Sequence, residues 1–285
     1  MTRQSLQQVM VLALLAVAGT TQAQPISQTP YERVLVPITV SAPLPGAYGS
    51  VWTTALTVRN ESDEAVVVTT APVALCGECP PVPPRTTFNF PLVVPDQNLG
   101  AFVYVGSPGF GKVTFMLRVQ DVSRQAQTWG TQIPVVRERN VYTGKLQLLD
   151  IPVDSHSRSA LRVYDFDPPA PAAPRAVRLR IYDMCGIGPI DSHCSNDPLV
   201  DSVLTLATTP ESSEAYPDHP AGAMIGNLID AFPQLASVPP TVLPSGKFRP
   251  ASVRIDIDAF SPGLRFWAFV SATNNETQHV TTIAP

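Results

Sequence analysis

The sequence predicts an all-β protein: two β-sandwich domains from an internal duplication, with one short helix inserted in the second. Three observations predict it. In the segment 51–70, VWTTALTVRNESDEAVVVTT, Trp52, Thr54, Leu56 and Val58 share one face while Thr53, Ala55, Thr57 and Arg59 share the other. Period-two alternation of β-branched and aromatic residues marks a half-buried strand. About a hundred residues later the segment 157–183 repeats the pattern, with Ala160-Leu161-Arg162-Val163 over Ala55-Leu56-Thr57-Val58 and Ala176-Val177 over Ala65-Val66. The third observation is 31 prolines with no long helical pattern, a composition suited to many turns and protected strand edges.

Each copy of the repeat reads as a β-hairpin. Polar residues 60–64, NESDE, form the first turn, because Asn, Ser and Asp bond nearby backbone groups. The longer turn of the second copy is the proline-rich stretch 167–174, DPPAPAAP, and turns are where insertions are tolerated. A second echo supports the duplication. Residues 113–119, VTFMLRV, resemble 264–270, LRFWAFV, and each is followed by a polar turn and a last strand ending in Ile-Pro or Ile-Ala-Pro.

Along the chain, residues 1–23 read as a secretory signal peptide. Arg3 is its only charge, and residues 9–18 are an unbroken apolar run too short to span a bilayer. Small residues at Thr21 and Ala23 suit cleavage before Gln24, and no cysteine at that point indicates a lipid anchor. No later segment has the length of a membrane span, so the mature chain is expected to carry none. The net charge of −4 and the lack of a basic run argue against nucleic acid as a partner.

The first domain covers 24–137. Its strands are expected at 34–40, 52–59, 65–71, 87–94, 100–105, 112–121 and 128–136, with Pro-Gly turn marks at 45–46 and 108–109. Seven short strands divided by Gly/Pro turns read as an immunoglobulin-like sandwich. A short polar linker, 137–143, leads to the second domain at 144–285, so the two sandwiches are expected to touch. The second set of strands falls at 144–153, 159–166, 176–183, 199–207, 252–259, 264–273 and 279–284. An insertion around 208–248 contains the expected helix: Pro220 opens it, Met224, Ile225, Leu228, Ile229 and Phe232 follow at helical spacing, and Pro233 stops it.

The residues that could carry chemistry are few. Cys76 and Cys79, and Cys185 and Cys194, follow the third strand of each repeat. In an exported protein they are expected as local disulfides, contributing about 2 kcal/mol for the short loop and about 2.7 kcal/mol for the longer one at most. Zinc or redox chemistry would need other spacings or a βαβ context, so no metal or other cofactor is expected. Asp154-Ser155-His156 and Asp191-Ser192-His193 look like triads, but triad members meet from distant positions, and these read as polar loop residues. A calcium site using Asp191 and Asp197 would lack EF-hand order. Asn60-Glu61-Ser62 and Asn275-Glu276-Thr277 are glycosylation sequons where the machinery exists.

The outer face of the second hairpin is the candidate ligand surface. With Leu161, Val163, Val177, Leu179 and Ile181 inward, Arg162, Tyr164, Arg178, Arg180 and Tyr182 are expected outward together. Arginine and tyrosine favour recognition surfaces, and arginine suits an acidic partner such as an acidic glycan or another envelope protein. Trp267 and Phe269 are expected on a face away from their own core, placed to stack on a sugar or pack on a partner. A solvated sheet face and packing between the domains are the structural alternatives for the two groups.

The pattern Val36-Pro37, then Pro45-Gly46-Ala47-Tyr48-Gly49-Ser50-Val51-Trp52-Thr53-Thr54, then Leu56-Thr57-Val58-Arg59-Asn60 resembles exported bacterial proteins of uncharacterised function built from immunoglobulin-like β-sandwich repeats. The resemblance extends to residues 267–285 and lacks its Gly-rich turn in the second copy. It implies an exported sandwich and brings no catalytic residue.

No nucleophile elbow, zinc-protease helix, phosphate loop or dinucleotide fingerprint occurs. The expected function is therefore an exported, non-enzymatic binding or surface-associated structural protein, secreted, periplasmic or on the cell surface. The alternative is a secreted glycosidase-like hydrolase drawing carboxylates from Asp183, Asp191, Glu211 or Glu214. The cysteine pairing is directly testable: the denatured, non-reduced mature protein should titrate with no free thiol, and two or four reactive thiols would overturn local pairing.

Overall fold

The structure is a computed structural model. It describes residues 31–40, 42–70, 80–91, 100–107, 109–124, 129–167, 174–184, 197–207, 220–242, 245–246 and 248–285. The four cysteines, and with them the disulfide assignments, lie outside the described residues.

The described chain is mostly antiparallel strand. In order, the first half contributes β1 (Tyr31–Val36), β2 (Leu44–Pro45), β3 (Val51–Asn60), β4 (Val68–Thr69) and β5 (Thr87–Phe90). It continues with β6 (Ala101–Gly106), β7 (Val113–Asp121), β8 (Thr131–Ile133) and β9 (Val136–Arg137). The second half contributes β10 (Lys145–Pro152), β11 (Ser157–Asp165), β12 (Arg175–Asp183), β13 (Val200–Leu206) and β14 (Gly222–Ile225). After the short helix α1 (Leu228–Ala231) come β15 (Thr241–Val242), β16 (Phe248–Arg249), β17 (Ser252–Ala259), β18 (Phe266–Asn274) and β19 (Val280–Ile283).

Two sheets build the first half: β4-β6-β1-β9 on one side, and β2-β3-β7-β8 with β5 also on β3 on the other. Two four-stranded sheets build the second, β10-β17-β12-β13 and β14-β11-β18-β19, and β15 pairs with β16 in a separate two-stranded sheet. Within each half the apolar faces of the two sheets share one core. Leu35, Val103, Leu56, Val58, Leu117 and Ile133 belong to the first core. Leu146, Ile255, Ile181, Leu161, Val163 and Val270 belong to the second. Residues 31–285 form a single compact unit. Among the described residues no helix is long and apolar enough to cross a membrane.

Two expectations about local structure are corrected. The segments read as hairpins are not hairpins. β3 pairs with β7 and β5, while β4 pairs with β6 in the opposite sheet. Likewise β11 pairs with β14 and β18, while β12 pairs with β13 and β17. Alternation shows which side chains face inward, and here it was right: Leu56, Val58, Leu161, Val163, Val177, Leu179 and Ile181 are all buried. It carries no information about which strand is the hydrogen-bonding partner. The helix expected from Pro220 to Phe232 is reduced to Leu228–Ala231, followed by a 3-10 turn at Pro233–Ser237. Its first part is β14, paired with β11 through Leu161 and Ile225. Gly222 and Gly226 bracket that strand. A Cβ on Gly222 would lie 2.7 Å from the Val163 carbonyl oxygen, so close strand pairing requires the glycine that also weakens the helix.

The chain crosses between sheets at Asn60, which is wholly buried. Its Nδ2 donates to the carbonyls of Glu64 (2.8 Å), Val82 (3.1 Å) and Pro83 (3.1 Å). Its Oδ1 accepts from the Ser62 N–H (2.9 Å) and hydroxyl (2.7 Å). The first sequon is thus a structural knot whose amide is fully occupied. A close contact also explains the Gly-rich turn before β3. A Cβ on Gly46 would stand 2.4 Å from the Trp52 indole nitrogen, so the turn lets the indole lie against bare backbone. Replacing Asn60 with Ala would strand several buried backbone groups, each costing about 1–3 kcal/mol. Urea unfolding of Asn60→Ala should show a loss of about 2–4 kcal/mol, and a loss within error of zero would refute the role.

Candidate functional site

The five residues expected outward together divide between two sheets. Arg178, Arg180 and Tyr182 lie on β12, whereas Arg162 and Tyr164 lie on β11. The expected common patch therefore does not exist, because the connection between β11 and β12 changes sheet.

On the β12 side, the outer face is a ladder of paired charges. Arg178 is bonded by Asp201, with Nε to Oδ1 at 2.8 Å, and Arg180 is paired with Asp258. Asp256, only 2% exposed, takes Lys145 at 2.7 Å, Arg254 at 3.1 Å and the Gln147 amide at 2.9 Å. Burial alone would raise the Asp256 carboxyl, but Lys145, Gln147 and Arg254 hold it below its ordinary value. The Arg254 guanidinium stacks 4.3 Å from the centre of the Tyr182 ring. Cross-strand neighbours of opposite charge stabilise a sheet face. Arg178 and Arg180 already have carboxylate partners, so they do not form an open acidic-ligand surface.

On the β11 side, the expectation of exposure fails for Tyr164, Trp267 and Phe269. They are 1%, 4% and 0% exposed and join the core of the first half. The sheet's outer face is covered by the first half of the chain. Tyr164 and Phe269 stack with ring planes 6° apart and centres at 6.4 Å, and Trp267 lies 5.3 Å from Phe269. The Tyr164 hydroxyl donates to the Pro37 carbonyl, and Phe166 meets Phe102 edge-on at 5.1 Å. Burial pushes the Tyr164 hydroxyl well up, with nearby Arg162 pulling it the other way. Two edge contacts extend the junction: the Thr131 hydroxyl donates to the Val280 carbonyl at 2.6 Å, and the Thr282 hydroxyl to that of Gln132 at 3.4 Å.

Beside these rings runs a chain of alternating charges. Arg33 on β1 reaches Glu138 at 2.9 Å, and Glu138 meets Arg265 at 3.0 Å. Arg265 Nε donates to Asp167 at 2.7 Å, and Arg175 joins Asp167, at 3.1 Å, to Asp165. Arg33 also lies over the Phe102 and Phe166 rings, 5.3 and 5.8 Å from their centres. Burial would raise Glu138 and Asp167, but the arginines hold both carboxyls low. Asp165 is different: burial pushes it up to about 6, against the opposing pull of the Asp167 N–H and Arg175. Nothing in the sequence pattern marked this chain, since its members are separated by up to 232 positions, between Arg33 and Arg265, and only packing joins them.

The histidine trio at 154–156 is a surface turn: Asp154 accepts the His156 N–H at 3.0 Å, and the ring faces Glu276 at 3.3 Å. Residues 191–193 lie outside the described residues. Among the described residues, no cluster of three metal-ligating side chains occurs. A groove of about 810 Å³ opens beside β10 and the β18–β19 turn, lined by Leu149, Asp150, Ser157, Asn274, Thr277 and His279 among others. Asp150 stands at φ 63° inside a bulge of β10, a device often found beside functional surfaces, and Gln278, between Thr277 and His279, stands at φ 57°.

No protein family, curated protein or solved structure matches the chain.

The junction carboxylates make a pH test. A raised folded-state pKa at Asp165 means that ionisation opposes folding, so stability should fall as pH rises from about 4 to 6 and stay lower above. Glu138 and Asp167 act oppositely, contributing stability that is lost as pH drops below about 4. Asp165→Asn should remove the decline between pH 4 and 6, narrowing the gap to wild type by about 1–3 kcal/mol. Parallel pH profiles in denaturant unfolding would show that Asp165 ionises as an ordinary carboxylate.

Proposed function

We propose that this is an exported, non-enzymatic binding or surface-associated structural protein built from two duplicated immunoglobulin-like β-sandwiches. The strand orders support the duplication. β4-β6-β1 in the first half corresponds to β12-β17-β10 in the second, and β5-β3-β7-β8 corresponds to β14-β11-β18-β19. The echoes noticed between 51–59 and 157–164, and between 113–119 and 264–270, fall on corresponding strands, β3 with β11 and β7 with β18. The signal-like segment 1–23 supports export to the periplasm, the cell surface or the medium.

One observation carries the functional assignment. The ionic groups at the junction and on the β12 face are tied to one another in extended pairs, and the large aromatics join the two halves. Such a design holds a shape rigid, which suits a binding or structural role; the partner class we propose is an acidic glycan or another envelope protein. A hydrolase retains one point in its favour: burial raises the carboxyl of Asp183, as a general acid requires. Its other expected carboxylates, Asp191, Glu211 and Glu214, lie outside the described residues.

The mature protein, incubated with a panel of acidic and neutral polysaccharides, should retain some of them in pull-down while releasing no new reducing ends. Turnover that disappears in Asp183→Asn would overturn the non-enzymatic assignment.

A further inference from the structure

Arg162 stands apart from the other arginines of the junction and the β12 face. Arg33, Arg175, Arg178, Arg180 and Arg265 all have carboxylate partners. Arg162 is only 8% exposed, its Nε is enclosed without an acceptor, and no ion pair joins it to another described residue. A guanidinium cannot escape burial by losing its proton, and an unpaired charge out of water is strongly unfavourable. Nη1 and Nη2 are not enclosed as Nε is, so the charge is open to an anion at the outer edge of the guanidinium.

Its surroundings define the anion. Strand register sets Arg162 between Phe269 on β18 and Met224 on β14, with Tyr164 two residues along its own strand. Phe269 and Tyr164 are buried, whereas Met224 is 45% exposed, so the approach lies on the Met224 side. A guanidinium edge offers two parallel N–H donors matched to the two oxygens of a carboxylate. A single cation flanked by apolar surface suits a monoanion with an organic body better than a highly charged phosphate group, which gathers several cations.

We propose that Arg162 is the floor of a carboxylate-binding site at the rim of the junction, and that its ligand is a uronate sugar. The two Nη groups, which are not enclosed as Nε is, donate to the carboxylate, and the ring of the sugar packs against Met224. This deepens the binding function proposed above and rests on it for the source of the ligand, whereas the site itself rests on the geometry of Arg162.

Titration calorimetry of the mature protein with galacturonate should give saturable binding that weakens with added salt. Neutral galactose should not bind. Arg162→Met should lower galacturonate affinity about tenfold or more, the scale of a charge-assisted hydrogen bond, while Arg178→Ala with Arg180→Ala should leave it unchanged. Because Arg162→Met could alter folding, the wild-type protein supplies an independent readout: the Arg162 Nε–H resonance in nitrogen-15 NMR should shift with galacturonate and not with galactose. Equal response to both sugars, unchanged affinity in Arg162→Met, or a stationary Nε–H resonance would overturn the site. Galacturonate binding at Arg162 without retention of any acidic polysaccharide would keep the site and refute the glycan-binding function.

Discussion

The structure depends on the packing of one sheet face against another where the two halves meet. β11 and β18 are buried on both sides. Leu161, Val163, Ala268 and Val270 point into the second core, while Tyr164, Trp267 and Phe269 point into the first. β1 and β6 are in the same position on the other side of the junction, with every residue of β6 buried. Burying a large apolar side chain is worth about 1.5–3 kcal/mol, and offset aromatic pairs add about 0.5–1.5 kcal/mol each. The five rings of Phe102, Tyr164, Phe166, Trp267 and Phe269 at one junction therefore bind the halves strongly enough that neither presents its covered sheet to water. The link between halves follows the same surface, since Tyr142 exchanges backbone hydrogen bonds with Phe266 at the start of β18.

That apolar junction determines where charge can sit. At its border the chain from Arg33 to Asp165 alternates sign, so each desolvated group has an opposite neighbour. Pairing of this kind offsets desolvation and gives the junction a fixed register, because a carboxylate moved by one residue would face a gap instead of a guanidinium. The β12 face shows the same logic in a wetter setting, with Arg178 and Asp201 both substantially exposed, and there the pairs add little stability. Arg162 is the exception to this pattern, a buried cation whose complement is missing from the described chain. The contrast with its paired neighbours makes it informative about binding.

Much was legible in the residues alone. Alternation along 51–59 and 176–183 placed Leu56, Val58, Val177, Leu179 and Ile181 in the cores, because a strand exposes opposite faces at every step and one face of each was the more apolar. The all-β class followed from the same periodicity. Tertiary structure alone decided the strand partners, since β3 and β4, or β11 and β12, can alternate equally well in one sheet or in two. It also overrode the helical spacing at 224–232, where pairing with β11 was available to Gly222–Ile225. For the candidate surface, a one-dimensional pattern can say that Tyr164, Trp267 and Phe269 leave their own core, but not whether water or another sheet receives them. The same limit separates Arg162 from Arg178 and Arg180: three arginines with the same outward periodicity differ in charge environment because two are paired with aspartates and one is buried without a carboxylate partner among the described residues. Periodicity is a property of the chain, while solvation and charge pairing are properties of what the chain meets.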